Sequence, residues 1–189
     1  MRKLSLLLVL LTFWGWLSAQ KIQWAAEVLN YSSQQSNQNF STQQALGAPN
    51  AMHSQDVKQA WAPAKDDAYL GEFIHLGFAK PIRIQQVIIA ESQNPGAIEE
   101  ITLIDTRNRR HVVYENAFPQ PVLLDNRLFT FTFPMTDYEV QSIKVLLKTS
   151  AVRGSNQIDA VGISADAKEA TLQKPQDQIL AARVIVRSP

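Results

Sequence analysis

Apolar and polar residues alternate with a period of two through much of this chain. In Glu72 to Phe78 (EFIHLGF), Ile74, Leu76 and Phe78 fall on one side, with Phe73, His75 and Gly77 on the other. Phe129, Phe131 and Phe133 alternate with Thr130 and Thr132, and Ile143, Val145 and Leu147 with Lys144 and Lys148. Side chains two apart share a face of a strand, so the pattern predicts antiparallel sheet with one face wet. Across Gln85 and Gln86 the apolar phase slips by one residue, which predicts a bulge or a change of sheet. Asn94-Pro95-Gly96 carries turn chemistry, and Ala48-Pro49-Asn50 and Ala62-Pro63 break any nearby helix. Only Ser41 to Leu46 (STQQAL) predicts a helical turn, with Ser41 as its cap. Many short strands with spaced turns give an all-β sandwich.

Ser155 to Ile163 (SNQIDAVGI) places an acid out of pattern. Counting back from Ile163 and Val161 puts Asp159 on their face, toward a core. Glu91 likewise shares the face of Val87 and Ile89, just before the Asn94-Pro95-Gly96 turn. A carboxylate taken out of water costs several kcal/mol unless paired or hydrogen-bonded, so each needs backbone N–H groups or a cation. For Glu91, capping of its own loop is the favoured expectation.

The ends differ from this body. Met1 to Lys3 is a short basic head, Leu4 to Leu17 (LSLLLVLLTFWGWL) is unbroken apolar sequence, and Leu17-Ser18-Ala19 offers a cleavage site before Gln20. This predicts a signal peptide over residues 1–19 and an exported protein, periplasmic, at the outer-membrane surface or secreted. The run is shorter than the roughly 18 to 20 residues that span a bilayer, so no membrane-spanning segment is expected in the mature chain. Residues 20–164 form the sandwich, and residues 165–189 form a tail or the start of a further segment, closing on the apolar ILAARVIV.

Without Arg2 and Lys3 the 18 basic residues fall to 16, against 17 acidic ones. A near-neutral surface without a basic block argues against nucleic acid and anionic membrane as partners. There are no cysteines, so stability does not rest on disulfides. No metal-ligand spacing joins His53, His75 and His111, which read as surface residues, and no nucleophile elbow, phosphate loop or His-Glu-Xaa-Xaa-His is present. A glycosidase acid pair from Glu91 and Asp159 would need a separation of roughly 5 to 9 Å that sequence cannot supply. Calcium is the better use of such oxygens, with Glu27, Asn50 and Asp159 as candidate ligands because terminal strands often pair.

Five stretches occur in order: FSTQQALGAPNA (Phe40 to Ala51), AWAP (Ala60 to Pro63), EFIHLGFAKPIRIQQVIIAE (Glu72 to Glu91), NPGAIEEITLID (Asn94 to Asp105) and SNQIDAVGI. Together they resemble the galactose-binding-like, or discoidin-like, β-sandwich. The likeness is to modules near the N-terminus of large bacterial outer-membrane proteins of the OmpA family and in pappalysin-type extracellular proteins. It implies an antiparallel jelly-roll of about eight strands, used for adhesion or carbohydrate binding, often with a structural calcium near the first and last strands. It also implies ligand contact through loops at one end. The matching positions are Ala45-Leu46-Gly47 through Asn50, Trp61, Glu91 to Gly96, and Asn156 with Asp159.

The expected function is a non-catalytic exported module that binds glycan or another cell-surface component, with Trp61, Glu91, Asn94, Asn156 and Gln157 at the ligand site. Trp61 has a competing reading as a core plug beside Pro63. An assembly module docking to an outer-membrane protein is the alternative, and an enzyme acting on glycans ranks last.

Overall fold

A computed structural model describes residues 21–52 and 57–168, so the expected signal peptide, His53 and the apolar tail segment lie outside the described residues. Among the described residues nine strands are present: β1 (Ile22–Trp24), β2 (Glu27–Tyr31), β3 (Glu72–Ile82), β4 (Gln86–Gln93), β5 (Ile98–Asp105), β6 (Arg110–Glu115), β7 (Arg127–Thr132), β8 (Val140–Leu147) and β9 (Gln157–Ser164). They form two antiparallel sheets, β1-β9-β4-β7 and β2-β3-β8-β5-β6, stacked as a jelly-roll sandwich. The main core lies between them. It includes Ile74, Leu76, Ile101, Leu103, Ile143 and Val145 from the larger sheet, and Val87, Ile89, Phe129, Val161 and Ile163 from the smaller. These are the alternating positions of the sequence, which is why each strand buries one face.

The phase slip at Gln85 and Gln86 is a change of sheet. β3 ends at Ile82 in the five-stranded sheet and β4 begins at Gln86 in the four-stranded one. β4 shows almost no alternation because its second face is covered too. Ile88 and Ala90 pack with Met52, Leu128 and Ala160, while Ile22 and Trp24 close over them. Gly162 permits this cover, since a Cβ there would stand 2.7 Å from Ile22 and 2.8 Å from Trp24. The turn expected at Ser41 to Leu46 is a 3-10 helix over Thr42–Ala45, and Ser41 caps it through no side-chain hydrogen bond.

Candidate functional site

Strand register gathers four connections at one pole of the sandwich. Glu72 and Ile98 both pair with Leu147, Glu100 pairs with Glu115, Glu91 with Arg127 and Gln93 with Gln157. The chain just before β3, the β4–β5 turn, the β6–β7 loop and the β8–β9 loop therefore emerge together. Hydrogen bonds tie them into a ring. Thr149 Oγ1 donates to Ala68 O (3.3 Å), Gly154 N to Asp67 Oδ1 (3.2 Å), Asn94 Nδ2 to Ser155 O (3.0 Å), and Val122 N to Pro95 O (3.0 Å). Lys148 Nζ closes it on Ala117 O at 3.4 Å. Gly96 sits at the tightest point, with φ +117° and its absent Cβ position only 2.1 Å from Gln120 O.

Glu91 anchors the ring from below. Its Oε1 accepts the Gly96 N–H at 2.8 Å, and its Oε2 accepts Arg127 Nε at 2.5 Å with a second guanidinium nitrogen in contact. The loop-capping expectation for Glu91 therefore matches its geometry, with Arg127 added as a cross-strand partner. Burial pushes the Glu91 carboxyl up, against the pull of Arg127 and the Gly96 N–H. Arg127 also lies over the Phe129 ring, 5.0 Å from its centroid. Both ends of this ion pair are buried, so the Glu91 carboxylate is turned away from solvent.

The other expected ligand-binding residues meet at the same pole with their amide N–H groups taken up by nearby oxygens, while Asn156 Oδ1 and Gln157 Oε1 are buried with no hydrogen-bond partner among the described residues. Asn156 Nδ2 donates to Asn94 O (2.9 Å), and Gln157 Nε2 donates to Gln93 Oε1 (2.7 Å). Asn156 and Gln157 are buried, and only Asn94 keeps partial exposure. Trp61 corrects the expectation of a stacking platform. It is 0% exposed, its Nε1 donates to Ser33 O at 3.0 Å, and its backbone exchanges two hydrogen bonds with Ile158. The core-plug reading is the one the structure bears out, because the bridge to β9 turns the indole inward.

Asp159 lies at a slip in register. Ala90 pairs with Ala160 and Glu91 with Ile158, so Asp159 is the extra, bulged residue of β9. Its carboxylate collects three successive N–H groups: Asn50 to Oδ1 (3.1 Å), and Ala51 (2.9 Å) and Met52 (3.1 Å) to Oδ2. Asn126 Nδ2 holds the same segment through Met52 O at 2.8 Å. Burial raises the Asp159 pKa to about 6, outweighing the three N–H donors that lower it. Asn50 thus meets Asp159 through its backbone N–H, a donor, which is the wrong polarity for a shared cation. Glu27 stands on β2 in the other sheet, its carboxylate against Gly77. Among the described residues no group of three or more His, Cys, Asp or Glu side chains is placed to hold a metal ion. These three residues do not fit one calcium cage.

The histidines are more engaged than their sequence reading allowed. His75 Nε2 lies 2.9 Å from Ser142 Oγ, and burial with nearby Lys144 and Arg110 lowers its pKa. His111 stacks on Tyr138 at 3.7 Å and meets Asp105 at 3.1 Å in the β5–β6 turn, at the opposite pole. Burial works against the charge of Asp105, but the Arg109 N–H, His111, the Arg107 N–H and the Arg109 guanidinium hold it well below the usual carboxylate range.

Among exposed charges such as Lys65, Asp66, Asp125 and Arg153, the ring of loops also presents large apolar side chains to solvent. Tyr69 and Leu70 are each 92% exposed, Phe118 81% and Leu123 98%, with Leu124 at 42% beside it. Sequence reading missed them. The available signal was apolar residues lacking alternation and bracketed by turn formers, as in KDDAYLGE and FPQPVLLDN.

Two packed antiparallel sheets with the loops gathered at one pole give the chain a galactose-binding-like jelly-roll fold. The profile described as "Pappalysin-1, SD scarf domain, C-terminal" matches residues 18–174, and the chain belongs to that family. No curated protein matches the chain. Among solved structures, reduced XRCC1 bound to the DNA pol beta catalytic domain is similar at TM-score 0.56 and 15% identity, over 75% of this chain and 97% of that one. The family 32 carbohydrate-binding module of C. perfringens NanJ, in complex with galactose, gives 0.51 and 17%, over 76% and 98%. The family 32 carbohydrate-binding module of Streptococcus pneumoniae EndoD gives 0.51 and 9%, over 74% and 95%. At these identities the likeness is one of fold.

Proposed function

We propose that this protein is an exported, non-catalytic binding module that recognises a glycan, or another cell-envelope component, through its ring-tied loop pole. One observation carries the reading: Tyr69 and Phe118 hold their rings out in solvent on two loops whose bases are fixed by hydrogen bonds. An exposed aromatic ring is the surface on which the C–H side of a sugar ring packs. The shared fold with a module that carries galactose supports the same reading. The apolar N-terminal run supports export to the periplasm, the outer-membrane surface or the medium. The test is a glycan array probed with the wild type, Tyr69→Ala and Phe118→Ala. Loss of a wild-type signal in both variants is expected. Undiminished binding by both would remove this pole from the account.

A further inference from the structure

We infer that the apolar segment Ile179 to Val186 (ILAARVIV), which lies outside the described residues, adds an antiparallel strand along β7, at the open edge of the four-stranded sheet. Strand register shows which backbone groups β7 offers. Phe133 N donates to Gln85 O at 2.9 Å, in line with the pairing of Gln86 with Thr132, so the residues of β7 that bond to β4 are Phe131, Phe129 and Arg127. The bond from Ala25 N to Val161 O fixes the same phase from the other side of the sheet, through β9 and β4. Leu128, Thr130 and Thr132 therefore turn their N–H and C=O groups outward, where no strand among the described residues pairs with them. The other edges are guarded. β1 has three residues, β2 slips register at Leu29, and β6 slips at Val113 and carries Arg110, His111 and Glu115. β7 pairs with β4 without a slip, and from Leu128 to Phe133 it has neither charge nor proline. An edge of this kind takes up another extended strand.

Position and pattern select the occupant. Gln86 Nε2 donates to Thr132 Oγ1 (3.2 Å) and to Lys168 O (2.9 Å), so the described chain leaves beside the last residue of β7. The stretch Glu169 to Gln178 can reach roughly 33 Å when extended, about twice the length of a six-residue strand. Tethered there, the segment meets the edge at a high effective concentration. Its alternation also fits. Leu180, Ala182, Val184 and Val186 share one face, and Ile179, Ala181, Arg183 and Ile185 share the other. With the wholly apolar face turned inward, the strand extends the half-buried row of Tyr114, Phe131 and Phe133 at the seam between the sheets, and Arg183 stays on the outer face with Thr130.

The chain has no cysteine, so introduced pairs report the register directly. In the full chain, Thr130→Cys is combined with one cysteine at each position from 181 to 185 and oxidised at low protein concentration. An intrachain bridge should form at an odd position, Arg183→Cys or a neighbour two residues away, with Ala182→Cys and Val184→Cys at least about tenfold lower because they face the core. Amide exchange gives a second readout. The Thr130 and Thr132 N–H groups should exchange at least about tenfold more slowly in the wild type than in the double variant Ala182→Asp with Val184→Asp, while Arg183→Asp leaves them unchanged. The Phe129 and Phe131 amides, which bond to β4, should stay protected throughout and show that the sheet is intact. Equal bridging at all five positions, or equal exchange in the wild type and the double variant, overturns the inference. So does bridging that links two chains, which would place the segment on a second copy.

Discussion

Replacing Asp159 by Asn tests how a buried acid on a bulge is satisfied. The folded protein holds this carboxyl at about 6, against the ordinary aspartate value of 3.8. At about 1.4 kcal/mol per pH decade, that difference is worth roughly 3 kcal/mol. The sign follows from proton counting. Below about pH 4 both folded and unfolded chains carry the proton, and the acid imposes no penalty. As pH rises from about 4 to about 6 the unfolded chain releases its proton while the folded one keeps it, so stability falls with rising pH. Above about 6 the loss is complete. The substituted amide cannot titrate, and its NH2 group would face the N–H donors of Ala51 and Met52. Asp159→Asn should therefore be the less stable protein near pH 4, by about 1–3 kcal/mol. The gap should narrow by roughly 3 kcal/mol by pH 7 and can reverse there. Urea unfolding of both proteins across that range reads the difference directly. A gap that stays constant, or widens with pH, would refute the reasoning, because it would mean that the N–H groups or a cation keep the acid ionised throughout.

The remaining expectations concern the ring and its anchor. Gly96→Ala would put a Cβ 2.1 Å from Gln120 O at a φ of +117°, so it should cost at least about 2 kcal/mol in urea unfolding; a neutral result would mean that the β6–β7 loop moves freely. Arg127→Met leaves Glu91 buried with only the Gly96 N–H and should cost about 3–5 kcal/mol, while Glu91→Leu with Arg127→Met should recover most of it; equal losses in single and double variants would contradict the pairing. Thermal unfolding in calcium and in chelator should give the same midpoint, since Asp159 is satisfied by three N–H groups. A rise with calcium would show a native-state site that these residues do not build.

Where alternation was clean, the sequence already displayed the fold. Ile74, Leu76, Ile143 and Val145 are buried as their period predicts. β4 resisted phasing because both of its faces are covered, and nothing within QVIIAES reveals that Met52, Leu128 and Trp24 arrive from elsewhere to cover the second. Asp159 could be placed on the core side by counting, but the bulge that frees its carboxylate depends on registry with β4, a property of two strands together. The candidate site was the least legible part. Asn94, Asn156 and Gln157 do meet at one pole, yet their amide N–H groups go to Ser155 O, Asn94 O and Gln93 Oε1. Tyr69, Leu70, Phe118 and Leu123 matter only because strand ends converge there, and convergence of distant loops leaves no local pattern to read.

The pairing of Ile22 with Ser164 has a bearing on engineering. Directly opposed residues of an antiparallel pair have Cα atoms only about 5 Å apart. A short Gly/Ser bridge should therefore close the described chain into a ring, and new ends can be opened in the exposed β5–β6 turn around Asn108. Such a circular permutant would keep both sheets and the loop pole intact. By the same geometry, the module is suited to being carried as an insert within a loop of a host protein, which needs to hold apart only two neighbouring points to display it.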